Sequence, residues 1–478
     1  MMVELESPGH AARVDVAIVG AGISGLAAAY ELHRHGLTVR VLEKQARPGG
    51  VIITERLGGF LIDAGPDSLL VQKPAAPDLC RELGIWDRLQ PTQLPRTAFV
   101  YRGGALHAIP EASILGFPTR LWPLATSSLF SPSAKLRMAR EVFSRPRQRG
   151  EDESIAAFVQ RHFGREAVDY IAEPLLAGIH AGDVDRLSIG ASFPRLVEAE
   201  ASHGSIIRAF ATRGHRGTRD GVFRSLPGGL SELVDAVVSH LPEGTVRCGT
   251  SVHTIEPGPH PRVHQDPHGF IEARAIVLAT PAWAAAALVQ PFDDELARMC
   301  CAIPYWSTAT VFLSYPTAAV GHPLRGTGFV VPRREGLTIT AGTWVSSKWA
   351  ERAPADQVLL RAFLGGARDP HAVDRSDAEL VAAAEQDLGA ILRIQGRPTI
   401  ARVYRWHRAS PQQEVGHIAH MARIDRQLAR WPSLFMTGTG LRGVGIPECI
   451  ADARATARAV AETLQKTEAG RQGPEFPA

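Results

Sequence analysis

Residues 14–43 read VDVAIVGAGISGLAAAYELHRHGLTVRVLE. Val14 to Val19 is an unbroken apolar-rich run of the kind that forms a buried parallel strand. It passes directly into the turn Gly20, Ala21, Gly22, Ile23, Ser24 and Gly25. A helix is predicted from about Ser24 to His35, with Leu26, Ala29 and Leu32 on one face and Gly36 as its stop. Thr38 to Leu42 is a second strand, closed by Glu43. A lone G-x-G-x-x-G says little; after a strand and at the start of a helix it marks a dinucleotide-binding unit. Gly20 permits the tight turn. Gly22 lets a pyrophosphate approach the backbone at the helix N-terminus, and Gly25 lets helix and strand pack closely. Glu43 stands where such units accept ribose hydroxyls.

Further segments of the same texture recur far along the chain. Leu226 to Leu241 is a Gly turn followed by an amphipathic helix, and short strands are predicted between Val246 and Ile255. Ala275 to Ala279 and Leu434 to Thr437 are short buried strands, and a helix from about Pro447 to Leu464 follows the last of them. Between these lie two regions of different character. Pro74 to Arg216 is mainly helical, with helices expected at Ser154–Phe163 and Glu166–Leu176. Ala302 to Leu364 alternates like strands, at Ala309–Leu313, Gly328–Val331 and Leu337–Trp344, before a helix at Asp377–Leu392. The fold expected is α/β: a Rossmann-like nucleotide domain assembled from discontinuous segments (13–75, 222–294 and 396–465). It carries a mainly helical region (76–221) and an inserted α+β domain (295–395), both facing the substrate.

With 478 residues the chain is too long for one core, and 45% hydrophobic against 21% charged residues excludes a disordered or fibrous protein. A net charge of +3 gives no footing for nucleic-acid binding. Basic stretches at Arg137–Arg149 and Arg208–Arg224 are read as solvated faces, with membrane-surface contact or substrate steering as the alternative. The five cysteines (80, 248, 300, 301 and 449) lack metal-ligand spacing and suit a reducing, cytoplasmic setting, and no metal is expected. The first dozen residues carry no signal-peptide pattern and read as a ragged leader. Ile114 to Phe130 is apolar but broken by Pro118 and Pro123; a buried wall is the primary reading and peripheral contact with a membrane the other.

Beyond the first unit, Glu43-Lys44 leads into Arg47-Pro48-Gly49-Gly50, and Gly65-Pro66-Asp67-Ser68 follows. Near the other end, Thr437-Gly438-Thr439-Gly440 precedes GVGIPECI at 443–450, which places Pro447 and Glu448 at a helix N-terminus. Such an end puts N–H dipoles where an anionic reduced flavin would need them. Glu448 is equally readable as an ordinary first-turn acid.

With these motifs stand GPDSLL (65–70), EPLLAGIHAGDVDRLS (173–188), SFP (192–194), LPGGLSELVDAV (226–237), ITAGTWVSSKW (339–349) and RWHRASPQQEVGH (405–417). Together they resemble the bacterial porphyrinogen oxidases, within the amine-oxidase-like flavoproteins, over nearly the whole chain. The details are closer to the coproporphyrinogen III enzymes than to the mitochondrial protoporphyrinogen IX form. Two departures stand out: Gln413 where the family usually has Tyr, and Glu448 where it usually has Asp.

The resemblance implies non-covalent FAD, held by the 20–25 turn, Glu43, Lys44, Arg47, Gly50, Gly65, Pro66, Asp67, Ser68, Val252, Trp406, Ile446, Pro447 and Glu448. It implies oxidation of coproporphyrinogen III in haem biosynthesis, in three two-electron rounds with hydride transfer to flavin N5. Oxygen would be the acceptor and hydrogen peroxide the by-product, with hand-over to the next haem-pathway enzyme. No protein side chain is expected to be catalytic, since the flavin supplies the chemistry. Lys73 is the expected cation for a substrate carboxylate. Gly178, Ile179 and Trp344 are the expected wall, with Leu175, Leu176, Phe329 and Ile339 as further candidates that read equally as core. Protoporphyrinogen IX is the alternative substrate. An amine oxidase or carotenoid desaturase, and a flavin-free relative of the GDP-dissociation inhibitors, are more distant alternatives.

Overall fold

The structure is a computed structural model and describes residues 12–110, 113–114, 117–118, 121–147, 150–212, 221–266 and 269–471. The leader, the start of the apolar 114–130 stretch and parts of both basic stretches therefore lie partly or wholly outside the described residues.

Val16–Val19, Val39–Glu43, Val246–Cys248, Ala275–Leu278 and Leu434–Met436 form one five-stranded parallel sheet. The N-terminal unit supplies its centre, and chain from the middle and the end adds the flanking strands. Val16–Val19 and Ala275–Leu278 are buried throughout, because helices or sheet cover both faces. On one face Ile23–Arg34 packs against the long final helix Ile446–Arg471, with Leu26, Leu32, Ile450 and Val460 in one core. On the other, a second core joins Val19, Ile276 and Leu278 to helices Ala282–Val289 and Asp294–Cys301.

A seven-stranded mixed sheet forms the second layer. Its long strands Tyr305–Pro316, Gln357–Gly365 and Ile400–Pro411 are antiparallel neighbours. Two differences from the sequence reading concern this sheet. Ala98–Arg102 and Ala105–Ala108, inside the stretch expected to be mainly helical, form its far edge through the parallel pairing of Ala98–Val100 with Gly328–Val330. Ile400–Pro411, expected with the nucleotide domain, is its other edge strand. Partners this remote in sequence leave no mark on local periodicity. The helix Asp377–Leu392 covers one face; it begins with a capping box between Ser376 and Glu379.

The expected helix at 166–176 is also different. A single turn, Arg165–Ala167, passes into a π-helical stretch, Val168–Ala177, with Pro174 inside it. Proline has no N–H to give to the preceding turn, and wide-turn distortions of this kind gather at functional sites. This one delivers the chain to Gly178 and Ile179.

Candidate functional site

The glycine turn is built as its spacing implies. Gly20 has a φ of +103°, and a Cβ there would lie 2.8 Å from Ala279 O in the neighbouring strand. A Cβ on Gly25 would lie 1.9 Å from Gly20 O, so helix and turn close on each other only without it. At Gly22 an added Cβ would meet nothing within 4 Å: the space above the turn is open. No side chain caps helix Ile23–Arg34 and its first turn holds no acid, so its leading N–H groups remain available to an anion. Beside Gly20, Thr280 Oγ1 is buried without a hydrogen-bond partner among the described residues. These features fit the diphosphate of a dinucleotide.

Glu43 is buried and does more than wait for a ribose. Its Oε2 accepts the Ala21 N–H at 2.9 Å and its Oε1 the Gln45 N–H at 2.8 Å, which ties the second strand to the turn. A carboxylate oxygen has two acceptor sites, so each keeps one for a hydroxyl. Arg47 bonds to Pro48 O, Gly50 O and Ile52 O, shaping its own loop, and Gly49 N–H reaches Ala21 O at 2.7 Å. Gly50 thereby lies against Gly22. Lys44 is exposed beside this loop. Thr250 N–H bonds to Glu43 O at 2.8 Å, which brings Val252 alongside the same strand end.

The 65–68 loop is fixed by residues that the sequence reading missed. Arg361 is buried and donates to Gly65 O at 2.8 Å and Ala64 O at 3.0 Å, its guanidinium stacked 4.3 Å from the Phe363 ring centre. Burial pulls its pKa down to about 10 against the opposing pull of Asp67 and Asp63. Asp67 accepts from Lys348 Nζ at 2.7 Å and Trp349 Nε1 at 3.1 Å. Burial pushes the Asp67 carboxyl up, but the Lys348 and Arg361 charges and these hydrogen bonds hold it well below the usual carboxylate range. Ser68 Oγ bonds to Asp67, and Pro66 completes a loop of small residues and backbone. Trp406 flanks it: a Cβ on Gly65 would stand 3.7 Å from the indole and 1.9 Å from Val51 O. The only sequence signal for Arg361, Lys348 and Trp349 was that they lie on strands or in the ITAGTWVSSKW segment; their roles come from cross-strand register.

The C-terminal signature packs against Ala279, Thr280, Tyr305 and Pro411. Tyr305 Oη donates to Thr439 O and accepts from Ala282 N–H, pinning the Thr437–Gly440 turn. A Cβ on Gly443 would overlap Glu448 Cβ at 2.3 Å, so the chain turns tightly onto Ile446, Pro447 and Glu448 at the head of the last helix. Cys449, buried, points its thiol back at Val444 O.

On the substrate side, residues 178–182 are held by three hydrogen bonds: Gln412 Nε2 to His180 O at 2.9 Å, Ala367 N–H to Ala181 O at 2.9 Å and Ala181 N–H to Gly178 O at 3.1 Å. Gly178 and Ile179 are exposed there, and Ile179 is 65% accessible. Lys73 forms an ion pair with Glu448. That pairing joins the expected carboxylate anchor to the expected flavin-edge residue.

Trp344 is placed elsewhere, which corrects its expected role. It is wholly buried, packed on Phe99, His322 and Phe329 at centre distances of 5.5, 4.9 and 6.4 Å. Its register partner is Leu360, whose side chain belongs to the core under the Asp377–Leu392 helix, whereas Arg361 points to the opposite face, at Gly65. Side chains alternate along a strand, so Trp344 faces away from the flavin loop. Phe329, Ile339 and Leu176 are core likewise, and Leu175 packs on the helical core.

Residues 23–461 match the model of the flavin containing amine oxidoreductase family. A coproporphyrinogen III oxidase of Bacillus subtilis (strain 168) is 34% identical over 92% of this chain and 96% of its own length. Protoporphyrinogen oxidase 2, chloroplastic/mitochondrial, of Arabidopsis thaliana is 28% identical over 91% of both chains. A crystal structure of a protein from Exiguobacterium sp. 255-15 superposes with a TM-score of 0.84 at 31% identity, covering 95% of this chain and 99% of that one.

Proposed function

The chain belongs to the flavin-containing amine oxidoreductases and, among them, to the porphyrinogen oxidases, and we propose that it oxidises coproporphyrinogen III to coproporphyrin III. It is an FAD-dependent oxidoreductase; held by the 20–25 turn, Glu43 and the Gly65 loop, FAD would supply the hydride acceptor for oxidation of the macrocycle carbons. Three two-electron rounds, each closed by oxygen with release of peroxide, would remove three hydrides from meso carbons and three protons, two from pyrrole N–H groups and one from the fourth meso carbon, to give the porphyrin.

What supports this reading is the meeting of an exposed apolar wall with a cation beside the Gly65 loop. Gly178 and Ile179 offer the flat face a macrocycle needs, and Lys73 offers charge to a propionate. Asp67 and Arg361 fix the flavin-side loop through their bonds to Lys348, Gly65 and Ala64, and Trp406 packs beside it. In this reading FAD is held non-covalently; Cys449, in the first turn of the last helix, turns its thiol inward to Val444 O, and burial pushes its pKa up to about 11. Protoporphyrinogen IX, with two propionates rather than four, is the alternative substrate.

The enzyme works in the cytoplasm in this reading. No helix among the described residues is long and apolar enough to cross a membrane. Trp122 and Phe143 are 77% and 82% exposed near Lys135 and Arg140, which favours peripheral contact with an anionic lipid surface.

Steady-state rates with the two porphyrinogens, read by porphyrin fluorescence and peroxide, test the assignment. A higher kcat/KM for coproporphyrinogen III is expected. A preference for protoporphyrinogen IX would transfer the assignment to the alternative, and turnover of neither would refute both.

A further inference from the structure

Phe193 and Arg195 enter the same corner as Lys73 from a different element. The helix Pro194–His203 begins immediately after Phe193, whose ring meets the His180 imidazole edge-on at 6.0 Å. His180 in turn is fixed by its carbonyl to Gln412. The Lys73 ammonium, already disfavoured by burial, is further depressed by the Arg195 charge, and the His180 pKa is lowered to about 4 by burial and then by Lys73. Two cations and an imidazole held neutral therefore share one corner, next to exposed Ile179.

Like charges brought together this way attract an anion. Glu448 supplies one carboxylate to Lys73. Arg195 has none: it is exposed and makes no hydrogen bond or ion pair among the described residues. Other arginines of the helical region are engaged. Arg161 bonds to Glu200, Arg165 to Asp169 at 2.9 Å and Arg186 to Glu414 at 2.9 Å. An apolar surface next to a paired and an unpaired cation suits an amphiphile with several carboxylates.

We infer that Arg195 is a specificity-determining residue: it binds a carboxylate of the substrate beyond the one that Lys73 takes, and so favours the four-carboxylate porphyrinogen over the two-carboxylate one. The inference rests on the porphyrinogen reading above. Glu448 holds Lys73 in place until a substrate carboxylate replaces it, whereas Arg195 is free from the start. Its fork of donors suits a carboxylate bidentately, which a lysine cannot reproduce.

The test is Arg195→Gln in the FAD-loaded enzyme, with Arg195→Lys as the conservative variant. For coproporphyrinogen III, KM should rise about tenfold in Arg195→Gln and less in Arg195→Lys, the size of one lost charge-assisted contact. For protoporphyrinogen IX the rise should be about twofold or smaller on the same scale. Binding of the product coproporphyrin III, followed by quenching of its fluorescence, should weaken in parallel and lose part of its salt dependence. Flavin content should equal that of the wild type. Unchanged KM and product affinity, or equal losses with both porphyrinogens, would overturn the inference while leaving the porphyrinogen reading standing. A wild-type enzyme that oxidises neither substrate would overturn both.

Discussion

The nucleotide end and the substrate end of this molecule are built by different means. At the nucleotide end the working parts are backbone: three glycines with three distinct steric demands, a helix start left uncapped, and Arg47 folding its own loop. Around the Gly65 loop and at the substrate end they are side chains brought together from remote segments, such as Arg361 on Gly65, Lys348 on Asp67 and Gln412 on His180. A backbone site tolerates no substitution but is local. A side-chain site depends on sheet register, and one strand position decides between facing the flavin loop and being core.

The largest effect expected separates two glycines of one motif. Gly25→Val drives a side chain into Gly20 O and should abolish both flavin binding and the cooperative melting of the protein. Gly22→Val projects into open space, so the melting temperature of the apoprotein should be retained while flavin is lost. Flavin-to-protein absorbance ratios and circular dichroism melts read both; equal damage from the two would erase the distinction.

Next in size is the polar cluster under the Gly65 loop. Arg361→Met leaves Asp67 without one of its cations and frees two carbonyls, and removing one partner of a buried pair costs about 3–5 kcal/mol. Denaturant unfolding should report that loss, with weaker flavin retention. Stability within 1 kcal/mol of wild type, on the scale of an exposed pair, would mean that the cluster contributes little.

Trp344 and Trp406 should then part company. Trp344→Phe, in the core, should cost about 1–3 kcal/mol and leave the flavin spectrum alone. Trp406→Phe should shift the flavin absorption band or its reduction rate with a smaller change in melting. The reverse pattern would place Trp344 at the site.

The smallest effect at neutral pH concerns His180. Its folded pKa of about 4 lies below the ordinary 6.5, so the unfolded chain binds the proton first as pH falls. Its contribution to stability is complete above pH 6.5 and declines as the pH drops toward about 4. His180→Gln should flatten the stability profile across that window, measured as the difference between variant and wild type; parallel profiles would exclude the effect.

The same contrast explains what was legible in the sequence. The strand–turn–helix at Val16–Arg34 and the Asp377–Leu392 helix follow from patterns a few residues long. Glu43 was singled out for a ribose, yet its hydrogen bonds to Ala21 and Gln45 come from the turn closing back on it. Trp344 shows the limit. The ITAGTWVSSKW segment contains two tryptophans. Trp349 bonds to Asp67, while Trp344 sits in the core, and only pairing with Leu360 tells them apart. The pairing of Ala98–Val100 with Gly328–Val330 was illegible for the same reason, because its partners are far apart along the chain.

Anaerobic mixing of the FAD-loaded enzyme with coproporphyrinogen III addresses the proposed activity without any assumption about the acceptor. The oxidised flavin band should bleach in a saturable, substrate-dependent phase, and admitted oxygen should restore it as porphyrin fluorescence and peroxide accumulate. A flavin that stays oxidised with both coproporphyrinogen III and protoporphyrinogen IX, yet bleaches with an amine, would contradict the assignment and place the chain with the amine oxidases of its family.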